Sequence, residues 1–447
     1  MTCIRVLSGT LLLGIGLAQA DPQPFLGPRC TGFQGEKEIR ASRVEHDSPE
    51  ALPAKPAFAA DPLNLFWVVE AGDRHVTILD GDRLEPIHRF ASRPALQGAP
   101  QFSLDGRYAY FASGDGWITK YDLWNLTTVA EVRAGIDTRN AALSADGRYV
   151  AVANHCPYSL VLLDADLHLV KILEARDRTA KQSSRVAAVY DAAPRRSFVA
   201  ALADVKELWE ISYDPKAPEI AEGLVHDYKL REGGFIPGFL NPRRTPLDDY
   251  LADFFFTPDS RQLIGATPGG GKGEVVHLDV RRRIATLELP GMPRFGSAIT
   301  WQRAGRTLMA VPNLREGVLS VIDVREWKTV REVKTLGPGS FLRSHEATRH
   351  AFVDASMSHE HRDTIQVLDK ETLQMVAVLR PEPGKTLAHV EFDRHGRYAL
   401  ASLWELEGAL IVYDASTLRE LKRLPMRGPV GKYNVFNEIT RSGGTRH

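Results

Sequence analysis

Cysteine is scarce. The chain has three in 447 residues, Cys3, Cys30 and Cys156, and none stands in a C-x-x-C-H arrangement or a zinc-type cluster. A covalently attached c-type haem and a cysteine-held zinc are therefore not expected. No sign of charge is in excess either: 56 basic residues face 56 acidic ones. That balance argues against a nucleic-acid partner, which requires a basic face to displace counterions. Past the N-terminus there is no apolar run of about 18 residues, so no membrane span is expected. G-x-S-x-G and zincin motifs are missing. The stretch ATPGGGKGEVV, around Gly269 to Gly273, lacks the Walker spacing and reads as a hairpin turn rather than a phosphate loop.

What is present begins with an export signal. MTCIRVLSGTLLLGIGLAQADPQPF places one Arg before an apolar run and ends it at Ala-Gln-Ala. A small-residue cleavage site after Ala20 predicts export and a periplasmic protein. The expected division is a signal peptide over 1–20, an extension over 21–57 and a single domain over 58–447. Cys30 and Cys156 could pair in an oxidising compartment, but two distant cysteines leave that open.

The main feature is repetition. DGRYAYFASGDGWITKYDL from Asp105, DGRYVAVANHCPYSLVLLD from Asp146 and HGRYALASLWELEGALIVYD from His395 share one plan: turn, apolar run, gap, second apolar run, Asp. Segments starting at Leu65, Ser197, Gln262, Thr307 and His350 repeat it, giving eight in all. A third β-rich run follows each, as in TTVAEVRAG and KTVREVKTLG. Short strands at a period of some 40–50 residues predict an all-β, eight-bladed β-propeller. The recurring Asp (Asp80, Asp122, Asp164, Asp214, Asp279, Asp323, Asp369, Asp414) is expected to cap a hairpin turn. The tail after Leu424 is expected to close the ring by pairing near Phe58, because an open ring would leave strand edges exposed.

Fold alone does not assign function, so residues that break the apolar plan matter. His359 and His361 lie in a Ser-His-Glu-His stretch that reads as a solvated loop more readily than as a metal site. His345 and His389 are read as holding the same place in adjacent blades, just before a strand, where two imidazoles at one mouth could handle protons or contact a metal. Arg139, Arg185, Arg294 and Arg343 share a blade position. Several guanidiniums at one mouth would bind a multi-carboxylate ligand, the alternative being salt bridges between blades.

RGPVGKYNVFNEITRS, with ASLWELEGALIVYDASTLRELKRL before it, resembles the end of the haem-d1-binding propeller of cytochrome cd1 nitrite reductase. The stretches from Asp105 and GPGSFLRSHEATRHAFVDAS resemble other parts of that family, the latter its segment with a haem-pocket histidine, at His345. The resemblance covers most of the chain from about Leu65. QSSRVAAVYD, LRPEPGKTLAHVEFDRHGRYAL and RGPVGKYN, with the missing C-x-x-C-H, are most similar to the NirF branch, exported propellers of haem d1 biosynthesis. The family's proximal His is missing: Gln97 and Gly98 stand at or near its place, and the other pocket His is replaced near Met292 to Arg294.

The resemblance implies haem d1 or its tetrapyrrole precursor as ligand or substrate. The arginine set, with Trp404, Lys432 and Asn434, would bind it; His345 and His389 would be catalytic. It also implies partners among haem d1 assembly proteins and nitrite reductase. Two functions stay open: an enzyme of late haem d1 maturation, or a non-catalytic carrier that returns its ligand unchanged. A plain scaffold would bind no tetrapyrrole at all.

Overall fold

Residues 33, 35–48, 51–222 and 234–440 are described in the computed structural model. The expected signal peptide and Cys30 lie outside these residues. Cys156 is disulfide-bonded.

The chain is an eight-bladed β-propeller in which each blade is a four-stranded antiparallel sheet. In seven blades the strands follow chain order from the axis outward. Blade 2, for example, runs Leu96–Phe102, Tyr108–Ser113, Trp117–Asp122 and Thr127–Arg133. The repeated phrase forms the second and third strands of every blade, and the run after the Asp forms the fourth. In blade 4 a small hairpin, Ile220–Glu222 with Gly234–Ile236, interrupts the chain before the outermost strand Pro242–Pro246. Gly269 to Gly273 fall at the hairpin between Gln262–Ala266 and Lys272–His277.

Blade 1 closes the ring. Its innermost strand is Pro429–Asn434, paired antiparallel with Leu65–Glu70. The partner expected near Phe58 is therefore corrected. Residues 51–61 form no strand; Pro53 and Pro56 lack the N–H a ladder needs. Phe58 instead packs on the cluster between blades 1 and 2. Upstream, Val44–Glu45 adds a fifth strand to the outer edge of blade 2, and the short helix Glu36–Ser42 buries Ile39 between blades 2 and 3.

Apolar clusters fill the spaces between blades. Trp67, Ile78, Phe111 and Tyr121 join blades 1 and 2; Phe66, Leu79, Leu400 and Val412 join blades 8 and 1. A blade has two faces and can bury them only against neighbours, which is why the plan must repeat around a closed ring. The conserved plan also fixes the turns. Gly106, Gly147 and Gly396 take φ of 71°, 70° and 67°, the left-handed region where glycine carries no Cβ penalty. Seven of the eight recurring aspartates accept backbone N–H groups two to four residues ahead. Asp279 pairs instead with Arg195 and Arg261.

Candidate functional site

The innermost strands begin at one face of the ring and end in turns at the other. At the first face several are bulged. In blade 3 the ladder skips Arg139 (Thr138↔Asn154, Asn140↔Ala153), and in blade 8 it skips His389 (Ala388↔Ser402, Val390↔Ala401). Blade 2 shifts between Gln97 and Gln101, with Gly98 at φ 72°. A bulge frees one residue from pairing and re-aims its side chain.

His389 is the centre of an aromatic group spanning three blades. Its ring lies 4.7 Å from Phe341 of blade 7 and 5.4 Å from Tyr433 of the closing strand. Phe341 in turn is 5.8 Å from Trp404, whose buried Nε1 has no acceptor among the described residues. Arg294 of blade 6 stacks over Phe341 at 5.6 Å. Burial pushes the Tyr433 hydroxyl up, so it stays a neutral phenol; Glu438 and Glu391 reinforce this, and Arg343 and Arg294 oppose it.

The same face continues around the ring. Tyr190 of blade 4 donates to Asp253 at 2.9 Å. Burial raises the Tyr190 hydroxyl well above its usual value, while the Arg139 and Arg294 guanidiniums pull the other way. Both arginines therefore act on one hydroxyl. Arg294 bonds Ser297 Oγ at 3.2 Å, and neither it nor Arg139 is paired with a carboxylate among the described residues. Arg185 is committed to Asp204 through contacts of 2.7 and 3.0 Å.

His155, beside them, was not singled out in the sequence. It sits 3.9 Å from Asp137. Burial lowers its pKa, Asp137 raises it, and Arg185 and Arg139 lower it further. Its signal was available: it is the last residue but one of the second strand of blade 3, Tyr149–Cys156, at the end where Trp404 follows the second strand of blade 8.

The remaining expected residues lie elsewhere. His345 does not share the place of His389. It follows the innermost strand Leu342–Ser344, whereas His389 lies inside Leu387–Phe392. His345 therefore stands in the turn at the opposite face, the place of Ser103, Ser144 and Asp393 in other blades. Like them it accepts a backbone N–H: Ala347 N to Nδ1, 3.1 Å. It is 2% exposed, and burial lowers its pKa.

Asn434 is at that far end too, bonding Asn64 and capping Asn437 of the helix Val435–Thr440. Arg343 is buried between Glu391 at 3.5 Å and Glu438 at 3.3 Å, the blade-to-blade alternative of the sequence reading. Lys432 is fully buried and donates to the His389 carbonyl and to Ser402 Oγ; burial drives its pKa well down. Thus Arg139, Arg185, Arg294, His389 and Trp404 share one face, and His345, Arg343, Lys432 and Asn434 are engaged within the protein. His359 and His361 lie in a turn-rich loop, and no group of three or more His, Cys, Asp or Glu among the described residues could hold a metal.

A comparison with known proteins fits this arrangement. The cytochrome D1 heme domain model matches residues 60–438. The chain is 52% identical over 421 residues to the dihydro-heme d1 dehydrogenase of Pseudomonas aeruginosa, covering 94% of this chain and 80% of that one. It is 28% identical to protein NirF of Stutzerimonas stutzeri, covering 84% and 93%. The solved structure of dihydro-heme d1 dehydrogenase NirN in complex with DHE superposes with a TM-score of 0.85 at 51% identity, covering 92% of this chain and 84% of that one. The expected likeness to NirF is therefore corrected in favour of the dehydrogenase. The missing C-x-x-C-H had pointed to NirF, but that motif belongs to a cytochrome c domain and says nothing about which propeller this one is most like. With a family model matched across nearly the whole propeller, the chain belongs to the cytochrome D1 heme domain family.

Proposed function

We propose that this protein binds dihydro-haem d1 at the face bearing His389 and removes two hydrogens from it in a late step of haem d1 biosynthesis. The observation that carries the reading is the shared face itself. Two guanidiniums without a carboxylate partner among the described residues, Arg139 of blade 3 and Arg294 of blade 6, stand on the same face as the His389–Tyr433 pair and the Trp404 indole N–H, which has no acceptor among the described residues. This is the complement of a flat macrocycle carrying acidic side chains: fork-shaped cations for carboxylates, aromatic surface for the disc. The 52% identity to a dihydro-heme d1 dehydrogenase supports the choice of reaction.

Dehydrogenation of a side chain breaks two C–H bonds, forms one C=C bond, and releases two protons and two electrons. His389 is the base that takes a proton, and Tyr433 holds and orients its ring. Arg139 and Arg294 fix the carboxylates, with His155 and the Arg185–Asp204 pair beside them. The electrons leave through the macrocycle to an external redox protein that accepts them one at a time. Export by residues 1–20 would place the reaction in the periplasm; no helix among the described residues is long and apolar enough to cross a membrane.

The purified protein, supplied with dihydro-haem d1 and a one-electron acceptor, should return a ligand lighter by two hydrogens, with the visible spectrum of haem d1. Ligand bound but recovered unchanged would leave the carrier reading. Absence of binding would remove both.

A further inference from the structure

His389 has φ of +51°, a left-handed backbone on a residue other than glycine. Such a conformation is unfavourable for a residue with a Cβ and persists only where the surroundings over-determine it. Here they do so from both sides. The His389 carbonyl accepts from Lys432 Nζ, and its N–H faces Asp354 Oδ2 at 3.5 Å.

Neither group is there for solvent. Lys432 is 0% exposed and Asp354 2%. Burying either polar head is costly unless fixed partners replace water, and each has them. Lys432 also donates to Ser402 Oγ at 2.8 Å. Asp354 accepts from the backbone of Ser340 (2.9 Å), Phe341 (3.1 Å) and Ser356 (3.1 Å), and from Ser356 Oγ (2.7 Å).

These contacts join three blades at one residue. Lys432 comes from the closing strand of blade 1, Asp354 from blade 7, and His389 from blade 8. The Asp354 carboxylate that faces the His389 N–H also holds the backbone of Phe341, whose ring touches His389. The residue after Lys432 is Tyr433, the other ring against His389.

We infer that Lys432 and Asp354 are positioning residues: they clamp the two backbone polar groups of His389 in the left-handed bulge, so that docking of the C-terminal strand sets the geometry of the reacting histidine. Lys432 is not a carboxylate-binding group. The inference deepens the dehydrogenase reading and rests on it for its kinetic consequence. Its structural consequence, the orientation of one imidazole, stands without it.

The experiment uses the full chain with Lys432→Met and Lys432→Gln, the second keeping an N–H for the His389 carbonyl. Titration with dihydro-haem d1 should give a Kd for Lys432→Met within about threefold of the parent, while kcat falls on the order of 10²-fold, as expected for a misplaced reacting group. Lys432→Gln should recover part of the loss. A large rise in Kd with kcat unchanged would make Lys432 a ligand-binding group and overturn the inference.

Histidine-selective NMR of the ligand-free protein supplies a readout independent of turnover. The His389 ring signal, assigned by its loss in His389→Gln, should move in Lys432→Met and move back toward the parent in Lys432→Gln. An unmoved signal overturns the clamp even if the parent proves to be a carrier. A parent that returns its ligand unchanged while the signal moves overturns only the dehydrogenase reading. Should Lys432→Met fail to fold, Ser402→Ala, which removes one of the two acceptors holding Lys432, carries the same comparison against Lys432→Gln. No change of signal in either then overturns the clamp.

Discussion

The rings of His389 and Tyr433 meet edge to face, with centroids 5.4 Å apart and planes at 78°, across the seam where the ring closes. One ring comes from the start of blade 8 and the other from the last strand of the chain. The His389 imidazole, the base of the proposed reaction, thus packs against a neighbour that burial keeps protonated.

His389→Gln should therefore abolish proton removal while sparing the fold and most of the affinity. Loss of a positioned general base costs about 10²–10⁴ in rate. Tyr433→Phe keeps the packing and removes only the hydroxyl, so its loss should be smaller. Single-turnover assays with dihydro-haem d1 check both. A His389→Gln protein that turns over at the parent rate would move the chemistry elsewhere on this face.

The arginines separate into those with a carboxylate partner and those, Arg139 and Arg294, with none among the described residues. Arg139→Ala and Arg294→Ala should each weaken dihydro-haem d1 binding by about 1.5–3 kcal/mol, roughly ten- to hundredfold in Kd. Arg185→Ala should cost less, because its guanidinium is already satisfied by Asp204. Visible-absorption titrations at two salt concentrations provide the comparison. Equal losses for all three would mean that the Asp204 pair opens when ligand arrives.

The propeller was legible because its strands obey a strict local code. Alternating β-rich runs, a Gly at the inner turns of blades 2, 3, 6 and 8 and an Asp at each outer turn report backbone geometry directly. The innermost strands were less legible. Leu342–Ser344 has three residues and Asp253–Phe256 four, and bulges break the period in several others. Those strands carry the candidate site, and analogy between blades misses its register by a few positions, enough to put His345 on the wrong face. In blade 7 no glycine marks the turn, and a histidine does the work of Ser103 or Asp393. Sequence also cannot separate an arginine without a carboxylate partner among the described residues, such as Arg139, from one buried between carboxylates, such as Arg343.

Arg343 makes that distinction testable. It is 3% exposed and stands between Glu391 and Glu438. Removing it leaves two carboxylates facing each other in a buried space, and breaking such a group costs about 3–5 kcal/mol. Arg343→Ala should lower the thermal midpoint clearly more than Arg139→Ala does. Calorimetry of the ligand-free proteins decides the point: equal midpoints would return Arg343 to the ligand-binding set.

His345 gives a pH signature of its own. Burial is the largest cause of its lowered pKa; Glu346, Glu391 and Asp393 act in the opposite sense without prevailing. In the unfolded chain its pKa is near 6.5. The folded state therefore binds fewer protons than the unfolded state between that value and the lower folded one, and stability rises with pH across this window. Read downward, acidification below about 6.5 favours the unfolded chain, at no more than about 1.4 kcal/mol per pH unit from one proton. His345→Asn keeps an acceptor for the Ala347 N–H and does not titrate. Its denaturation midpoint should fall less steeply than the parent's between about pH 6.5 and 5, while turnover at neutral pH is retained because His345 stands at the face opposite His389. Parallel stability curves would show that the imidazole is not held neutral by burial. A collapse of kcat with stability intact would place His345 in the chemistry after all.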